Sequence, residues 1–153
     1  MKFVLILLIT LVAGCAQVPR DSQEADSKAK EFLKPKAGYA GLYIARAGPR
    51  GQTSVLELLI NGLIVAKTSP RTFVKFELSP GRYYISARGE NIDQIEVDLK
   101  EGLNQFIYQE VTIGWNDFRT TLVLLPESEG REAVLKSELG LKIMRDSDIR
   151  AFK

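Results

Sequence analysis

The chain has no histidine and one cysteine, and its 21 basic residues nearly cancel its 19 acidic ones. Without histidine there can be no Ser-His-Asp triad, no Cys-His dyad and no zinc site built on imidazoles. A single thiol likewise excludes an intrachain disulfide and a multi-cysteine metal site. A formal net charge of +2 on 153 residues is too small to draw the protein onto nucleic acid or another acidic polymer. Carboxylates are the remaining general acids and bases, and no cofactor or metal is expected. A chain of this length suffices for one ordinary domain with a real core.

Long apolar runs are also missing except at the start, where Lys2 precedes an apolar stretch from Phe3 to Val12 interrupted by Thr10. At about 1.5 Å per helical residue such a stretch crosses only about half of a roughly 30 Å hydrocarbon core, too little for a transmembrane helix. A basic start, a short apolar centre and small residues thereafter describe a secretory signal peptide over residues 1–14. Val12-Ala13-Gly14-Cys15 then resembles the lipobox of bacterial lipoproteins. That resemblance implies cleavage between Gly14 and Cys15, a diacylglyceryl thioether on Cys15 and acylation, such as palmitate, of the new amino terminus. One acyl chain binds a bilayer only marginally, whereas two or three anchor stably. The competing reading makes Cys15 an ordinary residue of a signal peptide or a buried helix. Ala16 follows the cysteine where inner-membrane retention would call for Asp, so the resemblance implies an outer-membrane lipoprotein facing the periplasm.

The rest of the chain divides into three by composition. Residues 15–36 mix charges of both signs around one large apolar pair, Phe32 and Leu33. Such a segment buries too little to offset its ordering entropy and reads as a flexible tether, at most transiently helical from Ser22 to Leu33. The alternative is an extra helix docked through Phe32 and Leu33. From residue 37 to 125 the period changes to two, with turn signals at Gly48-Pro49-Arg50-Gly51, Asn61-Gly62, Ser79-Pro80-Gly81, Gly89-Glu90-Asn91, Glu101-Gly102 and Gly114-Trp115-Asn116-Asp117. The spacing predicts strands near 38–46, 54–60, 63–67, 72–78, 82–88, 92–100, 104–113 and 119–125, hence a mainly β fold: an antiparallel β-sandwich. Asn61-Gly62 is a hairpin signal, because a type I′ turn needs positive φ at both central residues. Ile92 is out of phase with Ile95, Val97 and Leu99, which predicts a bulge near Asp93 and Gln94. After Pro126 a C-terminal helical segment, 126–153, begins with a helix from Glu127 to Leu139, capped by Ser128 and ended by Gly140, with Val134, Leu135 and Leu139 as its stripe and Glu132 paired to Lys136. Leu141, Ile143 and Met144 are expected to pack back onto the sheet, and Asp146 to Lys153 to form a short helix or a frayed end.

Three stretches taken in order carry a further resemblance: Gly41-Leu42-Tyr43-Ile44-Ala45-Arg46, Leu59-Ile60-Asn61-Gly62-Leu63-Ile64-Val65-Ala66, and Phe73-Val74-Lys75-Phe76-Glu77-Leu78-Ser79-Pro80-Gly81-Arg82-Tyr83-Tyr84-Ile85-Ser86. A first strand ending in Arg, an Asn-Gly hairpin and an aromatic strand running into Leu-x-Pro-Gly resemble bacterial lipoproteins that carry domain of unknown function 2846. Phe106-Ile107-Tyr108-Gln109 fits their later strand. The chain is similar as well to PEGA-type, Ig-like surface modules. The resemblance covers roughly residues 37 to 125 and brings no catalytic residues with it. Where Arg-Pro often follows the first strand, this chain has Arg46-Ala47-Gly48-Pro49.

Three carboxylates, Glu57, Glu77 and Glu110, lie in apolar strand context where burial could shift a pKa. Their alternating positions also fit plain solvent-facing residues. Ser79 lacks both the Gly-x-Ser-x-Gly spacing and a histidine base. Aromatic residues are the better candidates for function. Tyr84 alternates with Tyr83 and Ile85 and is expected to point outward; Trp115 sits in a polar turn followed by Phe118. An exposed Trp can stack on a sugar or anchor a protein partner, but the reading preferred for Trp115 is a Trp that plugs the end of the sandwich. The expected function is therefore a non-enzymatic envelope lipoprotein binding another envelope protein through a sheet edge or loop surface. The alternatives are a small envelope hydrolase using paired carboxylates, and a lipid or glycan carrier with an apolar cavity.

Overall fold

The computed structural model describes residues 18–48 and 54–152. Gly14 and Cys15 lie outside the described residues, as does most of the Gly48-Pro49-Arg50-Gly51 turn. Two sheets stack face to face. The first has order β8-β7-β1-β4-β9, built from β1 (Ala40–Arg46), β4 (Thr72–Leu78), β7 (Asn104–Ile113), β8 (Phe118–Leu125) and β9 (Glu138–Leu139). The second has order β3-β2-β5-β6, from β2 (Leu56–Ile60), β3 (Leu63–Thr68), β5 (Gly81–Arg88) and β6 (Ile92–Leu99). The mainly β, two-sheet architecture matches the expectation. It departs from a purely antiparallel sandwich in two places, because β1 runs parallel to β7 and β4 parallel to β9.

Alternation along the strands builds the core between the sheets. Leu42 and Ile44 of β1, Val74 and Phe76 of β4, Leu58 and Ile60 of β2, and Tyr83 and Ile85 of β5 are fully buried there. Each such side chain contributes roughly 1.5–3 kcal/mol relative to exposure. Asn61 and Gly62 both have positive φ, 49° and 82°, as the β2–β3 hairpin requires. The bulge expected at Asp93 and Gln94 is absent: β5 and β6 pair without interruption from Gly81–Leu99 to Arg88–Ile92. Ile92 keeps the period and is simply exposed. The irregularity lies instead in the β2–β3 pair, between Leu58 and Leu59.

At its centre, along β1 and β4, the five-stranded sheet is buried on both faces. Its outer face carries a second apolar cluster in which Tyr43, Ala45, Phe73 and Phe106 meet Ala29, Phe32, Val134 and Leu139. This overturns the tether for the part of 15–36 that is described. Residues 18–36 are docked, through α1 (Gln23–Ala29), capped by the Ser22 hydroxyl accepting the Ala25 N–H, and through Phe32. The physical reason is aromatic: the Phe32 ring lies 5.7 Å from Tyr43 and 6.0 Å from Phe106, with the Arg131 guanidinium 4.9 Å from its centroid. The Tyr43 hydroxyl donates to the Ala29 carbonyl at 3.0 Å. Leu33, the other half of the pair, stays exposed.

The C-terminal segment is shorter in helix than its pattern implies. Helix α2 (Glu127–Leu135) starts at Pro126 without a side-chain cap, so Ser128 does not cap it. It ends before Leu139, which leaves the stripe to pair with Phe73 in β9, while Gly140 donates its N–H to the Phe73 carbonyl at 2.9 Å. Leu135 is exposed. The Glu132–Lys136 pair forms. Leu141 and Ile143 remain exposed, contrary to expectation, and Met144 alone of the three packs on the core. Helix α3 (Asp146–Ala151) is a docked element, its Ile149 buried in the core between the sheets.

Candidate functional site

The β7–β8 turn is held as a rigid projection by a residue from the other sheet. Glu90, in the β5–β6 turn, accepts through Oε2 the backbone N–H groups of Asn116 at 2.8 Å and Asp117 at 3.0 Å, with Arg119 Nη1 3.5 Å from its Oε1. The N–H of Asp117, then that of Asn116, hold the Glu90 carboxyl below the usual carboxylate range; the Trp115 N–H and the Arg119 charge add to this, and partial desolvation opposes it. Gly114 closes the turn by donating to the Asp117 carbonyl at 2.8 Å. A methyl group on Gly114 would overlap Glu90 Oε2, and one on Gly89 would overlap the Phe118 carbonyl. Both turns therefore need glycine to approach so closely.

This clamp presents Trp115 at 92% exposure, which overturns the expectation that the ring plugs the end of the sandwich. Ile113, at the end of β7, and Ile92, at the start of β6, are also exposed. Phe118 pairs with Ile113 across the hairpin and is half-buried. Tyr84 points outward as expected, 45% exposed while Tyr83 and Ile85 are buried, but it belongs to a different place. It lies across β5 from Glu96, and its N–H is held at 2.9 Å by the Asn61 side chain of the far hairpin. Trp115 and Phe118 thus share one corner and Tyr84 does not. Glu90 was invisible in the sequence as a positioning residue, since Gly-Glu-Asn reads only as a turn; the recurrence of glycine at 89 and 114 was the one available signal.

The candidate acids are dispersed. Glu57 sits on the four-stranded sheet in an ion pair with Arg88 at 3.0 Å. Glu77 lies beside Gly41 at one end of β1, whereas Glu110 on β7 lies beyond the partner of Ala45 at the other. Among the described residues no group of three or more acidic or cysteine side chains could hold a metal ion.

A buried polar network fills the same end of the sandwich as the Trp115 turn. Arg46 is 1% exposed between the sheets, its guanidinium donating to the Ser54 and Thr68 carbonyls at 3.1 and 3.3 Å and to the Ser54 hydroxyl at 2.6 Å. Burial pushes its pKa down to about 10, with Tyr108 acting in the opposite sense. The chain continues from the Thr68 hydroxyl to Gln109 at 2.7 Å and from the Gln109 amide to Thr120 at 3.1 Å. Buried and hydrogen-bonded in series, these groups tie the ends of β1, β3, β7 and β8 to one another. The Arg that ends the first strand is thus a structural tie between the sheets.

A protein of Haemophilus influenzae described as an uncharacterized protein is 29% identical over 132 residues, covering 86% of this chain and 79% of its own. No family model matches the chain, and no solved structure matches it.

Proposed function

We propose that this protein is a lipid-anchored lipoprotein of the bacterial envelope, held at the outer membrane through Cys15 and facing the periplasm, and that its β domain is a non-enzymatic module binding another envelope protein at the Trp115 corner. The observation that carries the binding reading is a fully displayed indole on a turn that the chain clamps with a carboxylate from its other sheet. Large exposed aromatics on ordered turns lose little conformational freedom on binding and are the residues that dominate interface energetics. A loop surface is favoured over a sheet edge, because the β8 edge is already occupied: Asn91 and Asp93 accept the Thr120 and Leu122 N–H groups at 2.8 and 2.6 Å. The anchor reading rests on the Val12-Ala13-Gly14-Cys15 sequence and its resemblance to the lipobox, and the resemblance to lipoproteins with domain of unknown function 2846 points the same way.

Crosslinking in intact cells tests the module. The wild type should capture a defined envelope protein that Trp115→Ala loses while its melting temperature is unchanged. Equal capture by the variant ends the assignment to this corner. Cys15→Ser should abolish fatty-acid labelling, and continued labelling would end the lipoprotein reading.

A further inference from the structure

We infer that the domain rests directly on the bilayer through Leu141 and Ile143, which enter the headgroup region beside the lipidated residue; this rests on the lipoprotein reading of Cys15. The inference comes from where the chain leaves the domain. Arg20 bridges Gly140 in antiparallel sense, the Asp21 N–H donates to the Leu139 carbonyl at 2.9 Å, and the Leu141 N–H donates to the Pro19 carbonyl at 3.0 Å. Running backwards from Arg20 through Pro19 to Val18, the chain therefore passes alongside Gly140, Leu141 and Lys142. Val18 itself is buried. Three residue steps separate it from Cys15, and at full extension they reach only about 11 Å. An acylated Cys15 leaves no room for a spacer, so the bilayer surface must lie against the part of the domain next to this exit.

That part carries two of the exposed aliphatic side chains of the molecule, Leu141 at 43% and Ile143 at 55%. Their backbone is locked to β3 of the four-stranded sheet. Lys142 bridges Ala66 of β3, and the Ile143 N–H donates to the Val65 carbonyl at 2.8 Å. The pair is thus a fixed wedge that needs no ordering on contact. The charges around it cancel within the chain: Lys142 pairs with Asp146 at 2.6 Å and Arg145 with Asp148 at 3.0 Å. Asp146 and Asp148 thus offset the cations next to the pair, and the contact made by Leu141 and Ile143 is apolar, one that does not depend on anionic lipid. Strand β8, whose hairpin with β7 carries Trp115, and β9, which borders this exit, are opposite edges of the five-stranded sheet, so the indole corner is turned away from the membrane.

The test uses the full lipidated protein purified from bacterial membranes and reconstituted in phosphatidylcholine vesicles. An environment-sensitive fluorophore is placed on Ile143→Cys or, as the distal comparison, on Ile113→Cys; the Cys15 sulfur is unreactive once it is a thioether. The expected result is blue-shifted emission at 143, shielded from aqueous iodide and quenched by nitroxide lipid, unchanged from low to high salt, with 113 behaving as in water. Protein that floats with the vesicles but shows 143 as wet as 113 overturns this inference and leaves the anchor standing. Protein that does not float and carries a free thiol at Cys15 overturns both.

Discussion

Glu90 and Asn116 belong to turns of different sheets, yet the Glu90 carboxylate accepts the Asn116 N–H at 2.8 Å, and this bond fixes how Trp115 is displayed. Replacing Glu90 by Ala should speed amide exchange at residues 115–117 while moving the melting temperature by no more than about 2 °C. The carboxyl pKa is depressed in the folded chain, so the clamp's contribution is present above the unfolded value and is lost as pH falls through the folded one. Protection of these amides should persist at about pH 5 and disappear on acidification below the ordinary carboxylate range near 4. Amide exchange followed by NMR checks both statements.

Phe32→Ala removes the ring that joins residues 18–36 to Tyr43 and Phe106. It should lower stability by about 3 kcal/mol, the usual consequence of emptying an aromatic site. Urea unfolding measures it, and a wild-type midpoint would mean that the N-terminal segment is not part of the cooperative unit.

Gly130 faces Phe106 from α2, and an added methyl group would overlap the Phe106 Cβ and ring. Helix propensity alone favours Ala by about 1 kcal/mol, but the overlap is with a buried ring that cannot swing aside. Gly130→Ala should therefore destabilise by about 1–3 kcal/mol. A gain in melting temperature would contradict the close packing of α2 on β7.

Tyr43 is a phenol expected to titrate late. Burial pushes its pKa up to about 12, against the opposing charge of Arg131. Between about pH 10 and 12 the unfolded chain ionises this group and the folded one does not, so its contribution to stability is full below pH 10 and fades above it. Absorbance at 295 nm should show a late step that Tyr43→Phe removes. Loss of the bond to Ala29 should lower stability at neutral pH by about 1 kcal/mol.

The strands were legible because alternation and turn residues are local signals. Thr72–Leu78 and Asn104–Ile113 begin and end where the pattern places them, and Asn61-Gly62 forms its hairpin. The parallel pairing of β1 with β7 was not legible, since register between distant strands is decided by what each face buries. A sign was nevertheless present: Leu42, Tyr43, Ile44 and Ala45 do not alternate with polar residues, as expected of a strand covered on both faces. That second cover had to come from the tails, and it is supplied by Ala29, Phe32, Val134 and Leu139, which are spread over two segments far apart in sequence. Leu139 misled in the same way, because its partner is Phe73 in a strand and not the helix before it. Trp115 was identified correctly as a turn residue, but its exposure depends on Glu90, which lies 25 positions away in sequence.

The rims of the sandwich carry one last implication. At β9 the main chain of residues 19–21 takes the outer position, at β3 the residues around Ile143 do so, and at β8 Asn91 and Asp93 supply the missing acceptors. At these three rims a neighbouring copy therefore finds no vacant strand to zip onto.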